Sequence, residues 1–191
     1  MRVIAGTYRS RPLVSPRGMD TRPTSDRLRE TLFNVLAPRI EDAMFVDLYA
    51  GSGAVGIEAL SRGASFCWFA EKAPPALRAI RSNLAALKLA GGYAVEDRGV
   101  AKLLQSMAKG KHTADIVFLD PPYVEEAEYE ATLRALGREY GELLAEGAVV
   151  VAEHARRGKL ADRYGALSRT RLLEQGDAAL SFYSALKGEN V

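Results

Sequence analysis

One cysteine, one tryptophan and two histidines are all that 191 residues hold of those types. Cys67 has no partner for a disulfide within the chain, which fits a reducing compartment, and its apolar surroundings read as a buried structural thiol. With a single cysteine, His112 and His154 form no metal-ligand cluster, so no metal is expected. No apolar run approaches the roughly 20 residues of a membrane span, and the N-terminus lacks the apolar stretch of a signal peptide. Pro12, Pro16 and Gly18 break the amphipathic helix that an organelle-targeting peptide needs. The cytoplasm is therefore the expected compartment. Internal repeats and low-complexity linkers are missing as well. Lysine is absent from the first 40 residues, which carry eight arginines against three acids; the remainder sets eighteen bases against twenty-one acids. A net charge of +2 conceals that asymmetry.

What the chain does have is a 48% hydrophobic composition, enough for a proper core at this length. Residues 2 to 8 and 11 to 14 read as a β-hairpin. A helix from 25 to about 37 follows, with Leu28, Leu32, Val35 and Leu36 on its apolar side and Thr24 or Ser25 as cap. From there strands near 44–49, 65–70, 93–96, 115–119 and 148–153 alternate with helices near 54–62, 74–89, 99–108 and 126–139. That alternation predicts an α/β fold with a mostly parallel sheet. Residues 168–174 and 179–186 depart from it, as two strands around Gln175-Gly176-Asp177-Ala178, an antiparallel C-terminal hairpin. The expected organisation is a basic hairpin-and-helix extension over 1–40 and one α/β domain over 41–191.

The stretch FVDLYAGSGAVGIEAL, residues 45 to 60, places Gly51, Gly53 and Gly56 as G-x-G-x-x-G between a strand and a helix. Glu71 ends the next strand, 20 residues after Gly51. Alone, this is the dinucleotide fingerprint. Asp47 argues against it, because a carboxylate four residues before the first glycine would repel a pyrophosphate. It suits a cofactor with a cationic amino acid end and no phosphate, such as S-adenosylmethionine. Glu71 would then accept from both ribose hydroxyls. The plain alternative is a tight turn with an acid capping a helix.

The stretch FLDPPY, residues 118 to 123, brings a carboxylate, two prolines and an aromatic ring to the end of a buried strand. Two prolines fix φ twice and remove two amide donors, so the corner is stiff and rich in acceptors. An exocyclic amino group on a nucleobase is a poor nucleophile because its lone pair is delocalised into the ring. If the Asp120 carboxylate and the Pro121 carbonyl each take one N–H, the nitrogen is held as it pyramidalises, and transfer needs mainly positioning and charge stabilisation. Tyr123 offers a flat face to a base removed from its stack. A bare D-P-P would more simply be a turn; its pairing with Asp47 and Glu71 in one chain favours the chemical reading.

At these residues the chain resembles a known family. D/N-P-P-Y/F is the signature of class I amino-group methyltransferases. TRPTSDRLRETLFNVL, residues 21 to 36, is similar to the TRPTxDRxRExLFNxL block of the RsmD family. RVIAGTYRSRPLVSP, DLYAGSGAVGIEALSRGA and FLDPPY extend the resemblance over almost the whole chain. It implies a class I S-adenosylmethionine-dependent methyltransferase fold, Rossmann-like. The implied activity is methyl transfer to the N2 amino group of a specific guanine in bacterial 16S, small-subunit, rRNA. Asp47, Gly51, Ser52, Gly53 and Glu71 would hold S-adenosylmethionine, and Asp120, Pro121, Pro122 and Tyr123 the guanine. Arg22, Thr24, Arg27 and Arg29 would face RNA, the partner being 16S rRNA or a small-subunit assembly intermediate; the oligomeric state stays open, a monomer being favoured.

One position departs from the family's habit. Where an Asp or Asn commonly meets the adenine, this chain reads EDRGVAKLL, with Arg98 near the expected site and Asp97 beside it. Gly99 and Val100 remain to serve the adenine with backbone groups and an apolar contact. The N-terminal arginines suit RNA phosphates by their bidentate geometry, although charge clusters are often solvated surface. A nicotinamide oxidoreductase, an amino methyltransferase acting on another nucleic acid, and a noncatalytic RNA-binding assembly module stay open as rivals.

Overall fold

Ser25 takes the capping role its type suggests: its hydroxyl accepts the Leu28 N–H at 3.1 Å and opens α1 (Asp26–Leu36). The helix buries Leu28, Leu32 and Leu36 of the expected stripe, with Phe33 buried beside them and Val35 only half-buried. A computed structural model describes residues 1–16, 25–122 and 126–185. The chain forms two compact units, Met1–Leu103 and Leu104–Val191.

In the first unit, β1 (Met44–Leu48), α2 (Ala54–Ser61), β2 (Phe66–Ala70), α3 (Pro74–Ala86) and β3 (Tyr93–Glu96) follow one another, and α4 (Val100–Gly110) begins. The three strands are parallel in the order β3-β2-β1. Gly56 sets how closely α2 lies on this sheet. A Cβ there would fall 2.3 Å from the Phe69 ring and 2.6 Å from the Cys67 sulfur, so a larger residue would force these buried side chains or the helix to shift. Cys67 is buried, as its apolar setting predicts.

The basic N-terminal segment packs into this same unit, so the expected boundary after residue 40 is not a boundary of packing. Nor do residues 2–8 and 11–14 form an extended strand pair. They share one antiparallel bridge, Arg2 with Pro12, flanked by Val3 N–H to Arg11 carbonyl at 3.0 Å and Leu13 N–H to Met1 carbonyl at 3.0 Å. The reason lies in where the other amides go. Ile4 and Ala5 donate to the Glu58 carboxylate at 2.8 and 3.0 Å, and Thr7 donates to the Ser61 carbonyl at 2.8 Å. The segment is thereby fastened to α2.

In the second unit, β4 (Ala114–Leu119), α5 (Glu126–Gly137), β5 (Leu144–Ala155), β6 (Arg163–Tyr164), β7 (Leu167–Gln175) and β8 (Ala178–Ala185) are ordered β4-β5-β8-β7-β6. β4 and β5 are parallel; β5 with β8, β8 with β7 and β7 with β6 are antiparallel. The predicted C-terminal hairpin is β7–β8. β5 starts four residues earlier than its expected run, because exposed Glu146 and Gly147 interrupt the apolar pattern between half-buried Leu144 and Ala145 and the buried stretch that begins at Ala148. β6, two residues long, has no alternation to detect.

Candidate active site

Each unit places its candidate residues at the carboxyl ends of its parallel strands, where open α/β sheets hold ligands. In the first, Asp47 lies opposite Phe69 near the end of β1 and is 1% exposed. Its Oδ2 accepts the Gly56 N–H at 2.8 Å, so the acid reaches under the glycine loop to the first turn of α2. Burial pushes its carboxyl up to about 7; nearby Glu71 adds to the rise and the Gly56 hydrogen bond opposes it. Glu71 is itself a brace. Its Oε2 accepts the Gly51 N–H at 2.9 Å, and its Oε1 accepts Lys72 and Ala73 N–H at 2.7 and 2.8 Å. Three of roughly four lone-pair sites are thus used to fix the loop, which leaves limited capacity for a diol.

Gly51 has φ +56° and nothing within 4 Å of where a Cβ would stand, so its backbone faces open space. Gly53, at φ +76°, is the N-cap of α2. The Ser52 carbonyl accepts the Asn83 amide at 2.9 Å. At the far side, Arg98 turns onto Glu96, with Nε to Oε1 at 2.7 Å and Nη2 to Oε2 at 3.0 Å, while Asp97 pairs with Arg81 at 3.3 Å. Gly99 (φ +89°) accepts the Leu103 N–H through its carbonyl and starts α4, with Val100 half-buried next to it.

In the second unit, β4 ends at Leu119 and the corner begins with Asp120, half-buried, then Pro121, buried, and Pro122, exposed. Tyr123 lies outside the described residues. The Tyr129 hydroxyl, on α5 and 3% exposed, lies 3.2 Å from the Pro121 carbonyl and 2.9 Å from the Glu153 carbonyl. It has one proton for two acceptors, and so links the corner to the end of β5.

Of the four residues expected to face RNA, Arg22 and Thr24 lie outside the described residues, and Arg27 is exposed on α1. Arg29 requires a correction: it is wholly buried. Its Nη2 donates to the Arg2 carbonyl and to Asp26 at 3.0 Å, and its Nε lies 3.8 Å from the buried Glu58. Glu58 also accepts Arg62 Nε at 2.7 Å. Burial lowers Arg29 from its ordinary guanidinium value, against the pull of Glu58 and Asp26. A basic residue on the buried stripe of an amphipathic helix, with Leu28, Leu32 and Leu36, is the sequence signal that places Arg29 inside.

Three residues were hidden from sequence reasoning. Glu58 is one acid inside the apolar run VGIEAL, where an interior partner was the available inference. Tyr129 resembles an ordinary core aromatic. Asn83, 2% exposed, sits among buried Ile80 and Leu84 on α3. Its Oδ1 accepts the Val14 N–H at 2.8 Å and its Nδ2 donates to the Val14 carbonyl at 3.0 Å as well as to Ser52. One side chain therefore staples the N-terminal segment to the glycine loop.

The fold defines the class: it is that of the class I, Rossmann-like, S-adenosylmethionine-dependent methyltransferases. The solved structure of yhhF from Escherichia coli, named as a candidate methyltransferase, matches with a TM-score of 0.81 at 34% identity, covering 97% of each chain. The chain belongs to the family described as conserved hypothetical protein 95, whose model matches residues 1–184 and which corresponds to the RsmD family. YlbH of Bacillus subtilis (strain 168), named as a candidate rRNA methyltransferase, is 37% identical over 96% of this chain and 98% of that one. Ribosomal RNA small subunit methyltransferase D of Escherichia coli (strain K12) is 44% identical over 64% of this chain. That match spans 60% of the Escherichia coli protein, less than two thirds of its length.

Proposed function

We propose that the chain is an rRNA methyltransferase that moves a methyl group from S-adenosylmethionine to the exocyclic N2 amino group of a guanine in small-subunit rRNA. The observation that carries this is the buried Asp47 carboxylate beneath the glycine loop, tied to Gly56 at 2.8 Å. A carboxylate there disfavours the pyrophosphate of a nicotinamide cofactor and favours the cationic amino acid end of S-adenosylmethionine. The family membership and the names of the relatives support the same reading.

Asp47 supplies the negative charge of the cofactor site, Gly51 and Ser52 its open backbone, and Glu71 both braces that backbone and offers its remaining acceptor capacity to ribose hydroxyls. Gly53 sets the start of α2, and Gly99 and Val100 line the adenine side. Bound S-adenosylmethionine supplies an electrophilic methyl on sulfur. Asp120 and the Pro121 carbonyl take the two N–H groups of the guanine amine, which frees its lone pair from the ring and stabilises positive charge on nitrogen. Pro122 stiffens the corner and Tyr123 stacks on the base. Arg22, Thr24 and Arg27 meet RNA; Arg29 holds the segment that carries them.

The test is methyl transfer from labelled cofactor to undermethylated small-subunit rRNA and to assembled subunits, followed by nucleoside analysis. N2-methylguanosine is expected. Label on adenine, on protein, or tight binding of NAD in its place would overturn the reading.

A further inference from the structure

We infer that the loop from β5 to β6 is a second RNA-contact surface, on which Arg157 and Lys159 hold phosphates of the strand flanking the target nucleotide. The inference rests on the RNA substrate proposed above. Its starting point is position within the second unit. β4 and β5 run parallel with Leu119 opposite Ala152, so the Asp120 corner and the loop that leaves Ala155 emerge at the same end. Tyr129 spans the interval: its hydroxyl meets the Pro121 and Glu153 carbonyls, and its side chain also lines a cavity of about 330 Å³ with His154, Lys159, Leu160 and Tyr164.

The loop is built, not loose. Gly158 N–H donates to the Ala155 carbonyl at 2.8 Å and Arg156 N–H to the Asp177 carbonyl at 2.8 Å. Ala161 is held twice, its N–H donating to the Tyr164 hydroxyl and its carbonyl accepting the Tyr183 hydroxyl, both at 2.9 Å. Burial raises both phenols, Tyr183 to about 12, so they stay neutral at physiological pH. A short loop anchored at both ends presents its middle residues without a large ordering cost.

The charges on it are unequal. Three neighbouring acids already have cations: Glu130 pairs with Arg134, Asp162 with Arg169, and Glu174 with Arg156 at 3.0 Å. Arg157 and Lys159 are exposed and form no ion pair among the described residues. Glu174 and Asp177 are the acids that line a second cavity with Arg157, Glu174 being the one that pairs with Arg156, and Arg163 adds a further exposed cation at the start of β6. His154, buried with its ring nitrogens on Ser181 and the Ala155 carbonyl, is kept neutral by burial and contributes no charge. Exposed cations two residues apart, with no buried donors converging between them, suit a polyanion held by counterion release better than a small anion.

The experiment compares wild type with the double variant R157Q/K159Q in binding naked small-subunit rRNA between about 50 and 200 mM salt. Both side chains are exposed, so the fold is retained, and a thermal melt checks this. Two lost phosphate contacts should flatten the logarithmic salt slope by roughly 1.4 to 1.8 units, at about 0.7 to 0.9 each. The KM for RNA should rise while kcat and S-adenosylmethionine affinity hold. An unchanged slope in a folded double variant would overturn the surface, whether or not the wild type transfers methyl groups. A loss seen with assembled subunits but absent with naked RNA would overturn it too, by assigning the loop to a protein partner. If the slope flattens while the wild type methylates no RNA, the surface stands and the proposed reaction falls.

Discussion

At the scale of single residues, Asp47 makes the sharpest statement because its carboxyl is pushed to about 7 from 3.8. A folded-state value above the unfolded one means that the native protein binds the extra proton between about pH 4 and 7. The stabilisation is present in full below the unfolded value and is lost as pH rises through the folded one. Melting without cofactor should therefore fall over that window by up to about 4 kcal/mol more in wild type than in Asp47→Asn, whose amide oxygen keeps the Gly56 bond. S-adenosylmethionine affinity should do the reverse and climb toward pH 7, since the ionised acid attracts the cationic end; the Asn variant should show no such climb in calorimetric titrations. Arg29 makes the opposite kind of statement. Arg29→Gln should lower stability by roughly 2 to 3 kcal/mol, Glu58 keeping Arg62 and two backbone donors, and leave the salt slope of RNA binding where it was. A flattened slope with an unshifted melt would return Arg29 to the surface.

At the scale of elements, Tyr129 joins two strand ends through one hydroxyl, and Tyr129→Phe isolates that proton while keeping the ring. The variant should bind cofactor and RNA as wild type does yet lose roughly tenfold in kcat, about 1.4 kcal/mol, as the Pro121 carbonyl loses its tether. A fall in melting temperature with kcat intact would make the hydroxyl purely structural. The elements themselves were largely legible. Among the described residues, periodicity located each α-helix and all but the shortest strand of the sheet, because each buries one face or both; 3-10 turns such as Gly141–Leu143 are too short for a periodic signal. What escaped was of another kind. The N-terminal strand pair shrinks to a single bridge since the Ile4, Ala5 and Thr7 amides are claimed by Glu58 and Ser61, far away in sequence, and no local pattern announces such a partner. Asp47, Gly51 and Glu71 were legible as a motif, yet their mutual bracing through Gly51 and Gly56 was not, because it depends on how the loop closes in space.

At the scale of the whole molecule, the chain reads as two compact units, Met1–Leu103 with Asp47 and Glu71, and Leu104–Val191 with Asp120 and Tyr129. The arginine-rich beginning was expected to be an appendage and is instead part of the first unit's packing, which no composition count reveals. The staple at Asn83 has a consequence in amide exchange. Val14 N–H is tied through Asn83 to the Ser52 carbonyl of the glycine loop, so stiffening that loop should slow deuterium uptake at Val14, 38 residues upstream. Mass spectrometry should find the peptide around Val14 protected on S-adenosylmethionine addition in wild type and unresponsive in Asn83→Ala. The N-terminal segment would then be a remote gauge of the cofactor loop, readable without any RNA present.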